Sequence, residues 1–264
     1  MYPFFELFSW ILVYTFGITL TLCFFVFVWN LERLAKRFWY SFSFFSQNIL
    51  WFVLSTFIFS RAFYVIWKWQ DMKFIKDPFQ FFIMSEFNFS LYGAIFWFLL
   101  VLYILVRLEK SSITRYIDGV VLSFLFVAVI GYIGTLFGWQ VYGRETMLWI
   151  EISYTHPYTP VPFQVPVFPL PIVYALWSFL IFSSLYIVSL FLHIRWYIGY
   201  LWIILFSAMI LVFESFSWKQ DILSVNTLFN LPQIYALIAI IASGIALYKL
   251  FWSDTKSSKD QHIV

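Results

Sequence analysis

Seven long apolar stretches, separated by shorter polar ones, set the pattern of this chain. They cover residues 8–29, 40–67, 87–106, 119–142, 171–192, 196–213 and 231–252. A helix needs roughly 20 apolar residues to cross the hydrocarbon of a bilayer, and each stretch is close to that length or above it. Backbone groups in hydrocarbon must be satisfied internally, which a helix does by itself. The pattern therefore predicts an all-α, polytopic integral membrane protein with seven transmembrane helices, forming a single membrane domain over residues 1–264.

The polar intervals carry the charge. The first holds Arg33, Lys36 and Arg37; the second covers residues 68–86; the third is the charged turn 107–118. A long loop at 143–170 contains Pro157, Pro160, Pro162, Pro166 and Pro169, and is too polar and too broken to span. A tight turn at 193–195, a small polar segment at 214–230 and a polar tail at 253–264 complete the chain. Alternate loops fall on the same side of the membrane. One set, with the C-terminus, holds nine Lys and Arg, or ten with Lys249 at the end of the last stretch; the other, with the N-terminus, holds five, Arg61 being left out as intramembrane. Basic loops stay in the cytoplasm, so the N-terminus is expected outside and the C-terminus inside. Arg61, Tyr92, the stretch 131–140, the Pro-rich loop and residues 214–221 then converge on the outer side.

Composition narrows the class further. Of 264 residues, 63% are apolar and 11% charged, with a mean hydropathy of +0.87. Soluble domains are near half apolar and a quarter charged, which excludes a soluble enzyme. The 36 Phe suit lipid-facing walls, and Trp and Tyr near span ends suit the interface. A net charge of +3, without a basic patch, points to no nucleic-acid partner. The single cysteine, Cys23, lies in the first apolar run, so no disulfide can form within the chain. It reads as a small buried hydrophobe. The N-terminus has neither a basic leader nor a small-residue cleavage pattern and reads as a retained span.

Few residues could carry chemistry. Arg61 in a span is costly unless it snorkels or is paired; its functional reading is an anion site for a lipid phosphate. Gly131, Gly134 and Gly138 lie on the fourth stretch, the last two as G-x-x-x-G. They read either as close helix packing or as backbone that approaches a lipid headgroup. Gln140, near the end of that stretch, is a polar group in need of a partner. His156 in the Pro-rich loop is ordinary loop surface or, facing a cavity, a base near neutral pH. His193 and His262 read as solvated. No H-E-x-x-H, G-x-S-x-G or phosphate-binding P-loop occurs, and no metal or cofactor is expected.

Several blocks, taken in order, resemble one family. S-R-A-F-Y-V (60–65) is similar to G-[GA]-R-x-x-Y-V; D-P-F-Q-F-F (77–82) and S-L-Y-G (90–93) are similar to D-P-x-x-x-F and S-F-H-G. Asp118 matches an acidic residue opening the fourth span. G-Y-I-G-T-L-F-G-W-Q-V-Y-G-R (131–144) lies without a gap on G-R-x-G-N-F-x-N-x-E-x-x-G-R. P-I-V-Y-A (171–175) resembles P-[ST]-Q-L-Y-E, and F-S-W-K-Q-D (216–221) resembles F-F-R-x-P-D. These are motifs of the prolipoprotein diacylglyceryl transferases, and the agreement in spacing extends over 60–221.

The resemblance implies seven spans, an outside N-terminus in the bacterial inner membrane, and a site open to the outer leaflet. It implies transfer of a diacylglyceryl group from phosphatidylglycerol to the lipobox Cys thiol of a preprolipoprotein, with phospholipid and signal peptide as partners. The family's polar residues are replaced at several positions: its His by Tyr92, its Arg by Tyr132, its Asn residues by Thr135 and Gly138, its Glu by Gln140 and its later Arg by Trp218. Gly131, Gly134, Gly143, Arg61 and Arg144 are kept. Arg61, Arg144 and Lys219 are the candidates for the phosphate; Tyr92, Tyr132, Gln140 and His156 are the candidates for catalysis. Gly131, Gly134, Thr135 and Gly143 are further substrate-binding positions, and Arg61, Tyr92, Tyr132, Gln140 and Arg144 are expected to line one outward-opening cavity. Two other readings stay open: a catalytically retired lipid- or lipoprotein-binding protein, and an unrelated small membrane transporter.

Overall fold

Apolar runs without internal breakers become helices. The computed structural model describes residues 4–8, 11–67, 89–139, 141–147, 149–154, 165–191, 197–217 and 231–261. The helices are α1 (Thr15–Phe38), α2 (Phe42–Gln47), α3 (Ile49–Trp67), α4 (Leu91–Leu108), α5 (Thr114–Gly138), α6 (Leu170–Phe191), α7 (Tyr197–Phe213) and α8 (Leu231–Gln261). A 3-10 turn, Glu214–Phe216, follows α7. Among the described residues, six helices are long and apolar enough to cross a membrane, and a further apolar helix, Gly93–Leu108, is shorter. This is the architecture of a multi-pass membrane protein.

Three boundaries differ from the sequence-based expectation. The first span does not begin at residue 8: β1 (Phe4–Phe8) pairs antiparallel with β2 (Ile11–Tyr14), and α1 starts only at Thr15. Short aromatic and aliphatic runs suit a strand as well as a helix, and apolar periodicity alone does not separate the two. The second span is divided at Asn48, whose backbone N–H and side-chain Nδ2 both donate to the carbonyl of Phe44. These bonds close α2 before α3 begins. At the far end, α8 continues through the polar tail to Gln261, because a solvated helix needs no apolar run.

The chain forms two compact units, Glu32–Tyr116 and Met1–Leu31 with Ile117–Val264. In the first, Tyr40, Phe44, Phe45, Phe52 and Tyr116 make a ring cluster, and Phe52 meets Phe98 of α4 at 4.9 Å. Ser60 and Ser90 tie α3 to α4: Ser60 Oγ donates to the Ser90 carbonyl at 3.0 Å, and Ser90 N–H to the Ser60 carbonyl at 3.1 Å. Ser90 also caps α4 by accepting from Gly93 N–H. A side chain at Gly93 would meet Phe63 Cβ at 2.6 Å. The S-L-Y-G block is thus a helix cap followed by a close crossing.

In the second unit α1 runs antiparallel to α5. Phe16 faces Gly138, Thr19 faces Gly134, and Cys23 faces Gly131. The Cys23 thiol reaches the Val127 carbonyl at 3.9 Å. Helix α5 packs antiparallel to α6 through Phe126–Phe182 and Tyr132–Tyr174. It packs parallel to α7 through Phe124–Trp202 and Phe124–Phe206. Asp118 is buried and accepts from Gly199 N–H at 3.2 Å. That places a carboxylate on the first turn of α7, where the helix dipole favours it.

Candidate functional site

At the end of this unit where α5 and α7 finish and α6 and α8 begin, polar side chains gather around the 3-10 turn. Tyr132, near the end of α5, is 9% exposed, and its ring centroid lies 5.1 Å from that of Tyr174 on α6. Tyr174 Oη donates to Glu214 Oε2 at 2.9 Å. Thr135 Oγ1 donates to the Tyr132 carbonyl at 2.7 Å, one turn back along α5. Gln233, buried in the first turn of α8, donates to Ser215 Oγ at 2.8 Å and to the Leu211 carbonyl at 2.9 Å. The start of α8 is thereby tied to the end of α7.

The other end of the turn holds Arg144. Its backbone N–H donates to the Phe216 carbonyl at 2.7 Å, and its Nε to the Ser217 carbonyl at 2.9 Å. Its own carbonyl accepts from Phe168 N–H at 2.9 Å. Gly143 bridges Ser217, and the rings of Phe168 and Phe216 stack at 4.7 Å. Nε is thus committed to protein, on a side chain that is otherwise exposed. A guanidinium fixed in this way is suited to an oxyanion of planar or tetrahedral shape. Glu214 and Ser217 are three residues apart, which separates carboxylate and guanidinium anchors by roughly 6 Å along a 3-10 rise.

Beside Arg144 two short strands form a small sheet. Strand β4 (Pro166–Val167) pairs with β3 (Ile152–Ser153), and Val167 also bridges Glu145 on its other edge. Leu136, Trp139, Tyr154 and Val167 make a buried cluster with it. Burial pushes the Tyr154 phenol up to about 12 from 10.0. A raised folded value favours the protonated form, so this contribution to stability is complete below about pH 10 and is lost as pH rises from 10 towards 12. Tyr154→Phe is accordingly expected to flatten the alkaline fall in stability over that window. It should also remove one late step from the tyrosinate absorbance titration. Loss of an early step with the late step unchanged would mean that Tyr154 ionises with the exposed tyrosines.

The expected site residues are distributed as follows. Tyr132, Gly143 and Arg144 stand around the turn just described; Thr135 is bonded to the Tyr132 carbonyl on α5, while Gly131 and Gly134 face α1. Arg61 is buried in α3, with Cζ 5.5 Å from the Tyr64 ring centroid. Tyr92 is the second residue of α4. Gln140, His156 and Lys219 lie outside the described residues. Among the described residues, no group of three or more His, Cys, Asp or Glu could hold a metal ion. Sequence reasoning grouped residues 214–221 with the site but did not single out Glu214 or Ser217, and it missed Gln233. A lone carboxylate closing the apolar run of α7 was the available signal.

A family model for prolipoprotein diacylglyceryl transferase matches residues 3–249. The chain belongs to the prolipoprotein diacylglyceryl transferase family. A curated phosphatidylglycerol–prolipoprotein diacylglyceryl transferase from Halalkalibacterium halodurans is 29% identical over 99 residues, 38% of this chain. That alignment spans 34% of the relative's length. Membership of the transferase family leaves the unrelated-transporter expectation without support. Within the family scaffold, Tyr132, Gly143 and Arg144 are held by the ring contact and backbone ties around the 3-10 turn.

Proposed function

We propose that this protein performs the family reaction, transferring diacylglyceryl from phosphatidylglycerol to the cysteine thiol of a preprolipoprotein. The observation that carries the proposal is the placement of Glu214 and Arg144 at the two ends of one 3-10 turn, within a chain matched by the family along 3–249. In the reaction the thiol sulfur attacks the glyceryl carbon that bears the phosphate. A C–S bond forms, the C–O bond to phosphate breaks, and glycerol phosphate leaves. Two demands follow: a group to take the thiol proton and a cation to hold the departing phosphate.

Glu214 is proposed for the first, oriented by Tyr174. Arg144 is proposed for the second, through the N–H groups not given to Ser217. Tyr132, packed on Tyr174, would position that pair and wall it from lipid. Tyr92, Gln140 and His156 are proposed as further proton-handling groups. Lys219 is proposed as a second phosphate cation, and Arg61 as the anion-binding residue of its own unit. Seven spans, counting Leu91–Leu108, and an outside N-terminus belong to the same proposal.

Purified protein in phosphatidylglycerol vesicles with a lipobox peptide should add a diacylglyceryl mass to the peptide. Arg144→Ala should reduce that product about 10²–10³-fold, the usual loss for one electrostatic donor. No adduct, beside an active control enzyme, would sink the proposal. Retained phospholipid binding without adduct would instead support a lipid-binding protein that has lost transfer.

A further inference from the structure

The segment that links the two edges of strand β4 carries large apolar side chains that stand in the open. It leaves the bridge at Glu145, is held by Thr146 N–H to the Pro166 carbonyl at 3.1 Å, and rejoins the sheet at Ile152. Between these anchors Met147 is 95% exposed, Trp149 102% and Ile150 67%. Charged and exposed Arg144, Glu145 and Glu151 flank them. A mixed Met, Trp and Ile tip with charges only at its base is costly to leave in water, and exposed apolar groups of this kind mark interaction surfaces.

We infer that this tip inserts into the bilayer surface on the side where α5 ends and α6 begins. The stem hangs from the ends of two membrane-crossing helices, so the tip starts at the height of the interface. Exposed Ile133 and Phe137 on α5, and Ile172 and Leu176 on α6, carry lipid-facing surface up to those ends. Both edges of β4 at Val167 are already paired, by β3 and by Glu145. A peptide would seek a groove or a free edge; a lipid surface needs neither. Tryptophan suits the headgroup level, with its ring in the apolar boundary and its N–H in water. This inference does not depend on the proposed reaction.

The test uses the full chain in proteoliposomes, with Cys23→Ala removing the native thiol and Trp149→Cys carrying an environment-sensitive fluorophore. Nitroxides on lipid at different depths should quench it most strongly about 5–10 Å below the headgroups, the depth of interfacial apolar faces. Aqueous iodide should quench it weakly. Adding Met147→Ser and Ile150→Ser should move the label into iodide-accessible water. Quenching by iodide and not by lipid nitroxides in the first protein overturns the inference. So does a label that stays in lipid after both serines, since the tip would not be what holds it. Protection that appears only with a lipobox peptide would assign the tip to the peptide and overturn it as well.

Discussion

Gly143→Ala is expected to lower the proposed transferase activity about 10²–10³-fold, as loss of an electrostatic donor does, and stability by about 1–3 kcal/mol, as overpacking does. The added methyl would sit against the Phe168 carbonyl oxygen, 2.7 Å from Phe168 Cβ and 3.0 Å from its carbonyl carbon. Backbone cannot swing aside as the end of a long side chain can. The conformation of Gly143 is not the reason for a glycine, because no glycine among the described residues has positive φ. Space is. Relief would come by parting the segments that meet at this point: the end of the 3-10 turn, the entry to α6, and the segment with Arg144. Arg144 Nε would then leave the Ser217 carbonyl, and the guanidinium would lose its fixed direction. Gly244→Ala is the matched control, since a methyl there meets nothing within 4 Å. Activity and the midpoint of heat-induced aggregation in detergent read the two effects. Equal behaviour of the two variants would remove the case for a rigid Arg144.

Gly134→Ala should produce the second large effect, and Thr19→Gly should reverse part of it. A methyl at Gly134 would collide with Thr19 Cγ2 and lie 2.6 Å from Thr19 Cβ. The helix axes must move apart, which costs about 1–3 kcal/mol in a packed contact and loosens Phe16 from Gly138 as well. Thr19→Gly frees the space that the methyl needs, although it sacrifices helix propensity. Residues in contact couple by about 0.5–3 kcal/mol in double-mutant cycles. The double variant should therefore be more stable than the sum of the single losses. Strict additivity would show that α1 and α5 do not meet at this point.

Hydropathy made the helices legible because hydrocarbon imposes one length and one composition on whatever crosses it. It could not make the ends legible. Phe4–Phe8 and Ile11–Tyr14 are apolar enough to begin a helix yet fold as a ribbon. Residues 253–261 are polar yet continue α8. The G-x-x-x-G had two readings in the sequence; the close approach of Thr19 and Phe16 gives Gly134 and Gly138 the packing reading. Arg144 was legible because a cation at the edge of an apolar run stands out. Glu214 was not, because its meaning comes from Tyr174, 40 residues away in sequence. Gln233 reaches Ser215 across 18 residues, and no local pattern announces such a pair.

The α1–α5 contact has a bearing on biogenesis. Gly134 is synthesised about 115 residues after Thr19, a delay on the order of ten seconds at usual elongation rates. During that interval the start of α1 must sit in lipid without its partner. Its threonines are prepared for the wait: Thr19 Oγ1 donates to the Thr15 carbonyl and Thr21 Oγ1 to the Gly17 carbonyl, both at 3.0 Å. With the hydroxyls satisfied inside the helix, α1 can be released early from the insertion machinery and later zip against a glycine face that asks only for shape.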